Sequence, residues 1–177
     1  AECSAMSMKL LGNHFDIHTG GEDLSRVHHA NEIAQSEPIT GAPWVNLWLH
    51  YSFLLDKSGE KMAKSKGEFL GMDAVRTRGY DPMVYRYFVA MGHYQSQLAF
   101  SWETMDATAK SYANLVRRVA DLLSAENETV DTDVYNKWHD DMVAAMSDNL
   151  KTATVLVLVQ DFIKSDDINS ATKLALI

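Results

Sequence analysis

The nine glycines and three prolines of this chain all lie at or before Gly92, and from about Ser101 to Ile177 there is neither. A stretch without them lacks easy left-handed turns and chain breakers, so its natural solution is a succession of helices. The earlier residues alternate short apolar runs with Gly and Pro punctuation, the pattern of strands, turns and short helices. The expected organisation is an α/β part over residues 1–100 and an all-α part over 101–177. With 177 residues, 46% of them hydrophobic and 23% charged, the chain can bury a sizeable core, which excludes disorder as its main state. No apolar run nears the roughly 18 residues that span a bilayer, and residues 1–7 lack the regions of a signal peptide. A soluble, cytoplasmic protein without a membrane partner is expected. Its net charge of −8 argues against a surface that gathers nucleic acid by charge alone, while leaving room for local basic patches.

The coarse elements follow from periodicity. Residues 4–11 suit a short helix closed by Gly12, and residues 15–18 a buried strand running into a Thr19, Gly20, Gly21 turn. Asp23 is placed to cap a helix over 24–36 that Pro38 stops. Strand, glycine turn and helix is the order of an α/β nucleotide-binding fold. The aromatic-rich run 48–55 reads as another strand, followed by a polar turn, a lysine loop and short helices over 73–78 and 83–91. Further on, Met105, Ala109, Tyr112, Val116, Val119 and Leu123 recur in steps of four and three, marking one stripe of a long helix capped by Ser101. Val134, Trp138, Met142 and Ala145 repeat the pattern, residues 155–159 read as a helix apolar on all sides at the centre of a bundle, and 171–177 would begin another.

Three groups of residues offer chemistry. The lone Cys3 cannot close an internal disulfide, so it is a core thiol, a reactive thiol or a metal ligand. His28 and Glu32, four apart on a helix, leave from one face and with Cys3 would make a thiolate, imidazole and carboxylate set for zinc, with His29 a competing ligand. The alternative is a buried thiol beside a surface histidine. Gly20 and Gly21 ahead of a helix would let a nucleotide approach the backbone, with Asp23 free to accept from ribose hydroxyls, although a glycine pair more often only turns the chain. Lys61, Lys64 and Lys66, flanked by Gly59 and Gly67, could neutralise charge growing on a departing pyrophosphate, or could be a solvated loop.

Three stretches in order carry a resemblance. ECSAMS from residue 2, HFDIHTGGEDLSRVHHANEIAQSE from residue 14 and GEKMAKSKGEF from residue 59 resemble the catalytic domain of the cysteinyl-tRNA synthetases, a class I family, and the similarity continues through YRYFVAMGHYQSQL. The resemblance implies the second half of a Rossmann-like catalytic domain followed by a helical anticodon-binding bundle of the DALR kind. It implies a zinc held by Cys3, His28 and Glu32 together with a further cysteine. That cysteine, and the family's His-Ile-Gly-His signature, would lie upstream of Ala1. The chain, which lacks Met before Ala1 and stops inside an apolar helical pattern, is therefore expected to be a C-terminal piece that is inactive alone. His18, Gly20, Gly21, Asp23, Trp48 and His50 would line the cysteinyl and adenylate pocket. Residues 61–65 resemble the KMSKS loop, with Ala63 in place of its serine, and Lys61 and Lys64 would be the catalytic lysines, Lys64 the one on the phosphates. Thr19, Arg26 and Val27 depart from the family's usual residues and bear on the pocket rim.

The activity so implied is joining of cysteine to tRNA(Cys), with Zn2+ as cofactor and ATP with Mg2+ as substrate, in a monomer. Zinc binds a thiolate far better than a neutral hydroxyl, and a difference of about 5–7 kcal/mol would give the 10⁴ to 10⁵ selectivity over serine that an apolar pocket cannot supply by size. The rivals are a ligase that joins cysteine to an amino sugar and a noncatalytic zinc-binding or tRNA-binding paralogue. Arg117 and Arg118 could meet tRNA phosphates but suit a solvated helix face equally.

Overall fold

The computed structural model describes residues 1–62, 71–123 and 129–177. Lys64 and the rest of the lysine loop from Ala63 to Gly67 lie outside the described residues. Contacts divide the chain into two compact units, Ala1–Phe53 with Tyr94–Gln97, and Leu54–His93 with Leu98–Ile177. No helix among the described residues is long and apolar enough to cross a membrane.

The first unit begins with α1 (Glu2–Leu11), which ends where Gly12 takes a φ of 89° and its N–H bonds to the Met8 carbonyl. Strand β1 (Phe15–Gly21) pairs in parallel with β2 (Val45–Tyr51), Phe15 opposite Val45 and Gly20 opposite His50. Parallel neighbours need a crossover. Here it is a 3-10 turn (Glu22–Leu24), a five-residue π turn (Ser25–His29) and helix α2 (Ala30–Thr40). Ser4 is buried against α2, where its hydroxyl donates to Gln35 Oε1.

Three expectations need correction in this unit. Thr19, Gly20 and Gly21 are the end of a strand, not a turn, and neither glycine has a positive φ. Glycine is required there by close approach: a Cβ on Gly20 would stand 2.6 Å from His29 Cε1 and 2.8 Å from His29 Nε2. Asp23 is not the N-cap of an α-helix: it lies within the 3-10 turn, and the chain enters α2 through that turn and the π turn rather than by a single α-helical start. Pro38 does not stop α2, which runs on to Thr40 and ends at Gly41 in the left-handed region. A proline removes only its own N–H, and the bond that closes the last turn runs from Gly41 N to the Glu37 carbonyl without involving Pro38.

The second unit carries β3 (Leu54–Leu55) paired in parallel with β4 (Leu98–Ala99), so the expected strand over 48–55 is two strands broken at Ser52 and Phe53. Helices α3 (Met72–Thr77) and α4 (Pro82–Ala90) follow, the latter with Asp81 accepting from Met83 N and Pro82 in its first turn. Then come α5 (Trp102–Leu122), α6 (Thr132–Ser147), α7 (Thr152–Lys164) and α8 (Ser170–Ala175), with Ser101, Asp131 and Asn169 as side-chain N-caps of α5, α6 and α8. One core cluster joins Val75, Val84, Phe88, Phe100 and Met105. A second joins Phe162, Ile163 and Ile168, against which Leu115, Val119, Val134, Trp138 and Met142 pack.

Two readings of the helical stripes shift. On α5 Leu115 faces this second cluster, while Val116 and Leu123 are exposed. Apolar residues stand at both 115 and 116, and the partner across the contact selects between them. Helix α7 is not enclosed on all sides: Val157 is 58% exposed and the burial falls on Phe162 and Ile163. With no glycine available between α6 and α7, Asn149 and Leu150 take the left-handed conformation, at φ 57° and 54°. For a leucine this costs about 1–2 kcal/mol.

Thr172 is fully buried and its hydroxyl accepts from Asp131 N at 2.8 Å, tying α8 to the cap of α6. Thr172→Val keeps the shape and removes the acceptor, and is expected to lower stability by about 1–3 kcal/mol in urea unfolding. Gly20→Ala, which drives a methyl into the His29 ring, is expected to cost about 1–3 kcal/mol by the same measurement.

Candidate metal centre

The first unit gathers its titratable residues around one carboxylate. Glu32, on the first turn of α2, is 3% exposed. Its Oε2 accepts from His18 Nε2 of β1 at 2.9 Å. Its Oε1 is buried without a hydrogen-bond partner among the described residues and lies 3.5 Å from His28 Nε2. Cys3 reaches the same place from the first turn of α1, and ligand atoms of Cys3, His28 and Glu32 all lie within 4.8 Å of one another. These three residues, with Asp23 and Gln35, line a pocket of about 430 Å³.

The π turn has a local consequence. It places His28 and His29, neighbours in sequence, in opposite surroundings: the His28 side chain is 46% exposed at the pocket, and His29 is buried. π turns of this kind recur at functional sites because the extra residue re-aims side chains. His29 Nδ1 lies 2.8 Å from His50 Nε2 on β2, so one ring donates to the other. Burial, together with the neighbouring His18, His50 and His28, holds the His29 imidazole below its usual pKa against the opposing pull of Glu32.

His18 sits among rings. Its centroid is 4.8 Å from those of His29 and Trp48, both edge-on, and 5.6 Å from the fully buried Trp44. A second set of possible ligand atoms, on His18, His29 and Glu32, also lies within 4.8 Å.

The structure thus brings Cys3, His28, Glu32 and Asp23 to one pocket, and His18, Gly20, Trp48 and His50 to the adjoining ring cluster. Gly21 is buried, and a Cβ there would meet Asp23 Oδ1 at 2.6 Å. Lys61 belongs to the second unit, where it forms an antiparallel bridge with Leu55. Two participants escaped the sequence reading. Trp44 follows Pro43 and looks like loop until β2 carries it beneath His18. The His18–Glu32 contact joins residues fourteen apart and has no periodic signal.

The donor set fits a borderline-soft divalent cation: one sulfur, one ring nitrogen and one buried carboxylate oxygen without a hydrogen-bond partner among the described residues.

Comparison with known proteins shows the family. Residues 1–111 match the family described as tRNA synthetases class I (C) catalytic domain. A cysteine–tRNA ligase of Treponema denticola is 42% identical over 187 residues, taking in 94% of this chain and 38% of that protein. One from Treponema pallidum is 46% identical over 143 residues, 72% of this chain and 28% of that protein, and one from Burkholderia lata 39% over 165 residues, 93% and 34%. The chain spans 28% to 38% of the length of these curated relatives. A solved ternary complex of Agrobacterium radiobacter LeuRS with tRNA and LeuAMS shares the fold, with a TM-score of 0.67 over 91% of this chain and 24% of that one at 14% identity. The chain belongs to the class I (C) tRNA synthetase catalytic-domain family and has its α/β character.

Proposed function

We propose that this chain is part of a cysteine–tRNA ligase, which activates cysteine with ATP and Mg2+ to cysteinyl-adenylate and transfers it to tRNA(Cys), in the cytoplasm. The observation that carries the reading is the convergence of Cys3, His28 and the unpartnered Oε1 of Glu32 on one pocket, in a chain of this family. Residues 1–100 would be the second half of a Rossmann-like catalytic domain and 101–177 a helical anticodon-binding bundle. Supporting this, Ile17 and Leu47 are more than half exposed on the parallel pair, whereas parallel sheets are ordinarily covered on both faces.

Cys3, His28 and Glu32 would hold Zn2+ with one further ligand. When bound, the ion supplies a centre that takes a thiolate in preference to a hydroxyl, so amino-acid choice comes from binding itself. The remaining steps belong to positioning and charge. Gly20 and Gly21 leave the end of β1 without side chains, Asp23 lines the pocket and would suit ribose hydroxyls, and Trp48 and His50 would contribute from the neighbouring ring cluster. In the family's reaction the substrate carboxylate attacks the α-phosphate, and the resemblance of residues 61–65 to the KMSKS loop gives Lys61 and Lys64 the task of neutralising charge on the departing pyrophosphate.

Cysteine-dependent exchange of pyrophosphate into ATP together with charging of tRNA(Cys), by the protein as its gene encodes it, tests the reading; exchange without charging overturns it. Cys3→Ser is expected to lower zinc content and to drop discrimination against serine from about 10⁴–10⁵ toward about 10². Lys64→Ala is expected to slow adenylate formation about 10²–10³-fold in single-turnover measurements, with cysteine affinity unchanged.

A further inference from the structure

Glu32 has two carboxylate oxygens in unlike surroundings, and the difference assigns a task to His18. Two donor atoms that share a tetrahedral zinc at about 2.0–2.1 Å stand about 3.3 Å apart. The 3.5 Å between His28 Nε2 and Glu32 Oε1 suits a shared ion. The 2.9 Å between His18 Nε2 and Glu32 Oε2 is short for one and is the ordinary length of an N–H···O hydrogen bond. Oε2 is therefore occupied by a donor while Oε1, buried and without a hydrogen-bond partner among the described residues, is left to the side of His28. His18 is itself held by packing, edge-on to Trp48 and His29 with centroids at 4.8 Å, and against Phe15 at 5.8 Å.

Resting on the metal reading above, we infer that His18 is a positioning residue for the metal centre: its Nε2–H occupies Glu32 Oε2, so that Glu32 offers the ion Oε1 alone, as a one-oxygen ligand. It does not bind the ion, although its nitrogen is close enough to belong to a rival set with His29 and Glu32. Without this donor a carboxylate is free to rotate or to chelate through both oxygens, and the coordination number rises. Hydrogen-bond partners of metal ligands are commonly worth 10–100-fold in metal affinity. A strand residue thereby sets the denticity of a ligand on the following helix.

The test uses the protein as its gene encodes it. Chelator competition should show stoichiometric, tight Zn2+ binding by the wild type, a 10–100-fold weaker constant for His18→Phe, and recovery of most of that loss in His18→Gln, whose amide nitrogen can replace Nε2 as donor. With Co2+ in place of Zn2+, His18→Phe should weaken the visible d–d bands as the site gains a fifth ligand atom. In wild-type protein loaded with 113Cd2+ and labelled with 15N-histidine, His28 should show coupling to cadmium, and His18 should show none and carry its proton on Nε2. This measurement decides the matter even where His18→Phe fails to fold. Coupling to His18 would overturn the inference by making it a ligand, and so would an unchanged zinc constant and cobalt spectrum in a folded His18→Phe. A wild type without tight Zn2+ would instead bring down the ligand set of Cys3, His28 and Glu32, and the role of His18 with it.

Discussion

A carboxylate taken out of water is costly unless its charge is met, and Glu32 is such a carboxylate at the middle of the first unit. His18, from β1, hydrogen-bonds one oxygen, and His28, from the π turn that leads into α2, stands 3.5 Å from the other. Strand, turn and helix must therefore be in mutual register for the charge to be tolerated. The same contact leaves one oxygen facing the pocket beside Cys3, so the requirement that stabilises the crossover also shapes the site.

That register depends in turn on glycine. The His29 ring lies where a side chain at residue 20 would stand, and only a bare Cα lets the buried histidine reach His50 across the parallel pair. The glycines thus act by permitting approach rather than by bending the chain. Trp44 and Trp48 close the cluster with rings instead of charges, which limits the freedom of His18. The site combines a ring cluster, in which Trp44 and His29 are buried and His18, Trp48 and His50 half-buried, with a rim at which Asp23 and His28 meet solvent.

Much of the element order was legible, because it rests on local rules. Ser101 caps α5, Gly12 ends α1, and the glycine-free remainder is mainly helical among the described residues. The placement of His28 and Glu32 together follows from their spacing of four and survives the passage through the π turn. What escaped had non-local causes. Whether Leu115 or Val116 faces inward depends on Phe162 and Ile163 nearly fifty residues later, and the exposure of Val157 depends on which surfaces of α7 find neighbours. The Gly20 and Gly21 pair read as a turn because their dihedral freedom is a property of the residue, whereas the ring that excludes a Cβ belongs to another element.

By itself the sequence determined the chemical inventory: one thiol, a His and Glu four apart, a glycine pair before a helix, and a lysine-rich segment, in an order that resembles one family of synthetases. Composition and spacing act over a turn or two of chain, and that range suffices for caps, helix faces and motifs. Tertiary structure alone decided which oxygen of Glu32 is engaged and which is open, and which of two adjacent histidines is buried. Those outcomes require β1, the π turn and α2 to meet in space, and no rule confined to neighbours in sequence contains the distance between them.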